Sequence, residues 1–132
     1  MSLEHLTPKG LFKPAVFTQV VVATGRRVVF ISGQVSMDVE GNLVAEGDLA
    51  GQARQVYANL RAALDGAGVK VSDVAKLTTY VVGYRPDMLP VMGAARTAVL
   101  GTTDLPASTL VGVAALAQPG YLIEVEAVAV VD

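Results

Sequence analysis

The sequence predicts a single α+β domain with two helices on one face of a mixed five- to six-stranded sheet. Three observations carry this. A chain of 132 residues suits one domain rather than two. Two stretches, Leu49 to Gly66 and the segment after Asp87, space their apolar residues as helices do. The other apolar stretches are short, rich in Val, Ile, Thr and Tyr, and bounded by Gly, Pro and Asn, as strands are.

Taken in order, residues 1–13 read as an irregular lead-in, with Pro8, Gly10 and then Pro14 as breakers. Phe17 to Ala23 and Arg27 to Ser32 read as a hairpin about Thr24-Gly25. Val35 to Val39 extends as a short strand, Glu40-Gly41-Asn42 turns, and Leu43-Val44 returns. Asp48 is an N-cap. After it Leu49, Ala53, Val56, Leu60 and Leu64 form the apolar face of a helix that Gly66 and Gly68 end. Lys76 to Val82 is a strand. Asp87 caps the second helix, Pro90 falls in its first turn, and Gly101 ends it. Gly93 weakens that helix by about 1 kcal/mol relative to Ala. Ala107 to Leu116 and Tyr121 to Val131 are the closing strands, joined through Gln118-Pro119-Gly120.

The last strand is informative beyond its type. Glu124, Glu126, Val128 and Val130 fall on one side, and Ile123, Val125, Ala127 and Ala129 on the other. Both sides become apolar toward its end, the pattern of a strand buried on both faces. Two helices cover one face, so the other is expected to pack against another subunit. Composition agrees: 52% of residues are hydrophobic and only 17% charged, against about 25% in an average domain.

Composition also excludes chemistry. There is no Cys, which removes disulfides, thiolate nucleophiles and iron–sulfur ligation. The single His, His5, offers no ligand pair and no Ser-His dyad, so no metal site and no cofactor are expected. A formal net charge of −2 and 5% aromatics argue against a nucleic-acid surface. No apolar run approaches the roughly 18 residues of a membrane span, and the first residues lack a secretory pattern. The expectation is a cytoplasmic domain with no membrane partner.

Few residues are placed to do chemistry. Glu124 and Glu126 share a face. They read as a solvated pair or as a carboxylate raised in pKa at an interface and suited to moving protons. Ser108-Thr109 satisfies strand-edge groups or donates to a ligand. Ser32-Gly33 ends a strand, where a missing Cβ marks a bulge or lets a ligand reach the backbone. Arg26-Arg27 reads as a solvated turn and Arg54 as an ion-pair partner. Arg85, before the second helix, is the basic residue nearest to a role, set against an ordinary solvated loop charge.

Ser32-Gly33-Gln34, Gln52-Ala53-Arg54, Asn59-Leu60, Ala67-Gly68, Lys76 before Thr78-Thr79-Tyr80-Val81, Pro106-Ala107-Ser108-Thr109 and Ile123-Glu124-Val125-Glu126-Ala127 occur in an order and spacing that resembles the RidA/YjgF family, whose members are also labelled endoribonuclease L-PSP. The resemblance runs from about Pro14 to Val130. It implies a chorismate-mutase-like fold, a homotrimer and small-molecule clefts between subunits. In prototypical members it also implies hydrolysis of reactive imines and enamines. By position, Glu124 matches the water-orienting Glu and Gly33, after Ser32, the Gly that offers its backbone. Leu110 matches a cleft-lining position, Phe17 stands where the family has Tyr, and Ser108 stands where it has the Arg that clamps the substrate carboxylate. A guanidinium–carboxylate pair contributes about 1.5–3 kcal/mol, and one Ser hydroxyl does not replace it. The resemblance with this substitution implies weak or absent activity on 2-iminopropanoate and 2-iminobutanoate, unless Arg85 reaches in. The alternatives are a non-catalytic ligand-binding or interaction trimer and, against the charge balance, an endoribonuclease.

Overall fold

The computed structural model describes residues 2–132. Its strands are β1 (Ser2–Leu6), β2 (Val20–Thr24), β3 (Arg27–Gln34), β4 (Val74–Val82), β5 (Ala107–Val113) and β6 (Ile123–Val131), and its helices are α1 (Leu49–Gly66) and α2 (Leu89–Leu100). The main sheet has the order β3-β6-β4-β5, and β1 and β2 form a separate antiparallel pair. β6 is antiparallel to both its neighbours, whereas β4 and β5 are parallel. Parallel neighbours need a crossover, and α2 is that crossover. Two helices and six strands in an α+β arrangement are what the sequence predicts.

α1 spans the predicted residues. Asp48 is in extended conformation, and its carboxylate accepts from the Gly51 amide, so it caps the helix as expected. Ala53, Val56, Leu60 and Leu64 are fully buried against the sheet, where they meet Ile123, Val125, Ala127 and Ala129 of β6. Gln52 shares this buried side. Its amide nitrogen donates to Gly120 O at 2.8 Å and its carbonyl accepts from Leu122 N at 2.9 Å. A fully buried amide is tolerable only with such partners, and these fix where β6 begins.

Five expectations are corrected. The lead-in contains a strand, β1, which pairs with β2 from Ser2↔Thr24 to Leu6↔Val20. β2 and β3 are therefore not a hairpin: β3 pairs instead with β6, placing Val28 opposite Val130 and Phe30 opposite Val128. The cause is steric as well as hydrophobic. Gly25 sits so close to the end of β6 that a Cβ there would lie 2.8 Å from Val131 O, so the turn packs on β6 rather than closing a ladder. Val35 to Val39 is not a strand, because Asp38 accepts from the Glu40 and Asn42 amides and folds the segment into a tight loop. Asp87 does not cap α2. A 3₁₀ turn over Pro86–Met88 precedes the helix, Met88 occupies the cap, and Asp87 faces Arg85 at 3.3 Å. The closing strands are shorter than predicted, and β4 lies between them.

Candidate functional site

Strand alternation sends the candidate residues to opposite sides of the sheet. In β5, Ser108 lies opposite Leu77 and Leu110 opposite Thr79, on the side that the helices cover. In β6, Glu124 and Glu126 lie opposite Tyr80 and Thr78, on the side that no helix covers.

On the helix side a cavity of about 560 Å³ opens at the β5 edge. Ser108, Leu110 and Thr79 form its sheet wall, and Phe17 and Val16 close it at one side. The segment holding Phe17 is pinned there by Thr18, whose amide donates to Pro106 O at 3.1 Å and whose hydroxyl donates to Leu105 O at 2.5 Å. α2 contributes Leu89, Met92, Gly93 and Arg96, positions i, i+3, i+4 and i+7, which share one helix face. Tyr57 of α1 and Tyr84 complete the lining. Tyr57 is 2% exposed. Burial pushes its phenol above the ordinary tyrosine range, offset by the Arg96 charge and a hydrogen bond with Thr79.

On the open side, β3 bends at a bulge between Ile31 and Gln34. Gly33 in that bulge lies against Glu124, and a Cβ added to Gly33 would collide with the Glu124 carboxylate. A side chain at this position would displace that of Glu124. Ser32 is exposed beside it, its carbonyl accepting from Gln34 Nε2 at 3.0 Å. Partial burial raises the pKa of Glu124, and the Glu126 charge two residues away raises it further. Tyr80 donates to Glu126 Oε1 at 2.5 Å. This bond, first among the causes, holds the Tyr80 proton above its usual range. Glu126 is thus engaged, and Glu124 is the carboxylate with no hydrogen bond among the described residues.

The structure brings Phe17, Ser108 and Leu110 together around the cavity, and Gly33, Ser32 and Glu124 together at the bulge. The two groups do not meet within one chain. Arg85 joins neither: its side chain is 67% exposed and paired with Asp87. The cation of the cavity is Arg96, which the sequence reading passed over. Its signal was present as a charged residue at the end of the apolar stripe Leu89, Met92, Gly93. Among the described residues no group of three or more His, Asp or Glu side chains is placed to hold a metal ion, and no helix is long and apolar enough to cross a membrane.

Comparison with known proteins matches this geometry to a family. The profile described as "Endoribonuclease L-PSP" matches residues 12–131. The crystal structure of the conserved Rid family protein YyfB from Yersinia pestis superimposes with a TM-score of 0.91 at 37% identity, covering 98% of this chain and 99% of that one. Two curated relatives are named 2-iminobutanoate/2-iminopropanoate deaminase. The one from Rattus norvegicus is 36% identical over 104 residues, 79% of this chain and 73% of its own. The one from Dermatophagoides farinae is 29% identical over 106 residues, 79% and 78% of the two chains. With the profile spanning nearly the whole chain and the fold reproduced, the chain belongs to the endoribonuclease L-PSP family, the RidA/YjgF proteins.

Proposed function

We propose that the protein hydrolyses small imines or enamines in a cleft shared between copies of the chain, three to an assembly, with Glu124 handling water. The observation that carries this is the division of the site. One chain presents a ligand-sized cavity on one side of its sheet and an unpaired carboxylate against a glycine bulge on the other. Within a single chain the sheet separates them, and an adjoining copy whose open face meets the cavity edge joins them. Relatives named as imine deaminases support the reaction class. The exposed Val28 and Phe30 of the open face support the assembly.

The chemistry is balanced. Glu124 accepts a proton from water as the oxygen bonds to the C=N carbon and the nitrogen takes up a proton. The carbinolamine then loses ammonia, the C–N bond breaking as the carbonyl forms. The net change is imine plus water to carbonyl plus ammonia. A carboxylate with a raised pKa both accepts and returns that proton near neutrality. Ser108 offers one neutral hydrogen bond at the cavity wall, and taken alone it holds a substrate carboxylate poorly. RNA is not the substrate on this reading, since a net charge of −2 gives no overall attraction for phosphate. Single-stranded RNA cleaved by nuclease-free protein, with loss in Glu124→Gln, would overturn that.

The test generates 2-iminobutanoate in situ with an amino-acid dehydratase and follows the release of keto acid. Wild-type protein accelerates release, and Glu124→Gln lowers it about 100-fold or more. Equal rates for the two proteins would remove Glu124 from the reaction. No acceleration by wild type would leave the ligand-binding trimer as the better reading.

A further inference from the structure

We propose that Arg96 makes the cavity a site for an organic anion, with a single carboxylate on the guanidinium and an apolar body against Phe17, Met92 and Leu110. The inference deepens the reading above by naming the substrate class.

The starting point is an unmade hydrogen bond. Arg96 Nη2 is buried with no partner, and no hydrogen bond or ion pair to Arg96 exists among the described residues. The groups that face it are Tyr57, whose proton stays on, and the hydroxyl and apolar walls of the cavity. Burial disfavours its charge, lowering its pKa, yet the Tyr57 interaction is the single opposing effect. A guanidinium stays charged at neutral pH all the same. Arg96 is half-buried, and a charge drawn even partly out of water loses hydration that only a partner offsets. A packed chain with 17% charged residues has little cause to send an arginine into an apolar cavity for structure. Met or Leu would fill the same helix position without that cost.

The cavity's shape completes the argument. Arg96 follows Gly93 by three residues on the α2 face, and a Cβ on Gly93 would meet nothing within 4 Å. The space beside the guanidinium is therefore open, next to a residue that carries no side chain and has a low helix propensity. The planar fork offers parallel N–H donors that match a carboxylate. Ser108 and Thr79 supply neutral donors on the facing wall. One positive charge and a mostly apolar lining select a monoanion with a short hydrocarbon chain. The cation thus enters from the helix instead of the strand.

Binding is measured without turnover, so its result stands whether or not the protein hydrolyses imines. The probes are 2-oxobutanoate and its neutral counterpart 2-oxobutanamide, titrated calorimetrically into the full chain. 2-Oxobutanoate binds wild type, Arg96→Met weakens it about 10- to 100-fold, and Arg96→Lys retains part of the affinity. The amide binds weakly to all three. Arg96→Met keeps or raises the melting temperature, the opposite of what a structural arginine would do. Four results would overturn the proposal: no binding of the anion, equal binding to Arg96→Met, equal binding of the amide, or loss in Arg85→Met with Arg96→Met unaffected. Dissociation of the assembly in Arg96→Met and Arg96→Lys alike would also overturn it, since Arg96 would then be pairing with a carboxylate of an adjoining copy.

Discussion

On the helix side of the main sheet, Ile123, Val125, Ala127 and Ala129 are buried under α1. On the other side, Val128 and Val130 alternate with them along the same strand, opposite Phe30 and Val28, which stand 79% and 54% exposed. The first face is completed by the chain that makes it. The second has the residues of a core and nothing over them. The second face is the one that the proposed assembly would cover. The contrast extends to chemistry: the covered face holds the cavity and its arginine, and the open face holds the carboxylate.

The largest expected effect breaks the open face. Phe30→Glu places an unpaired charge where a copy would dock, and a stable interface buries more than about 1,000 Å² in total. Sedimentation equilibrium at micromolar concentration gives a trimer for wild type and a monomer for the variant. A wild-type monomer would show that the face is simply exposed. Leu60→Ala does the converse on the covered face. It leaves a cavity in the core and costs about 2–5 kcal/mol, read from the shift of the denaturation midpoint. Little shift would mean the helix packs on a different face.

Glu124→Gln is a smaller, signed effect. The folded pKa of Glu124 is raised, first by burial and then by Glu126. Its contribution to stability is therefore fully present below the unfolded pKa and is lost as pH rises through the folded pKa. The variant melts slightly above wild type at neutral pH, and the difference closes under acid. In turnover the sign reverses, because the base acts ionised: the rate falls as pH drops through the folded value. Smallest is Gly93→Ala. The Cβ finds open space, so chemical denaturation shows a gain of about 0.5–1 kcal/mol, while 2-oxobutanoate binds no tighter.

Much of this was legible in the sequence. The span of α1, its Asp48 cap, and the alternation in β6 all follow from local pattern. The pairing of strands does not. Nothing within Ser2 to Leu6 reveals that it is β2's partner, and the apolar run of β3 suits a hairpin as well as it suits β6. The site was half legible. Glu124 and Gly33 stand out because a carboxylate in an apolar strand and a glycine at a strand end each need a reason. Arg96 does not stand out, because an arginine on a helix is ordinarily solvated, and only the shape of the cavity turns it inward. Arg85 was favoured for its place before α2, and its pairing with Asp87 followed from the 3₁₀ turn that the sequence reading missed.

Whether the cleft is shared between copies is tested most directly by subunit mixing. Glu124→Gln damages only the open-face half, and Gly93→Leu fills only the cavity half. Each variant alone releases keto acid from 2-iminobutanoate at a small fraction of the wild-type rate. Co-expressed and purified as mixed trimers, they regain activity, since random assembly leaves about a quarter of clefts with two intact halves. Mixed assemblies no more active than either parent would place the whole site within one chain and contradict the account.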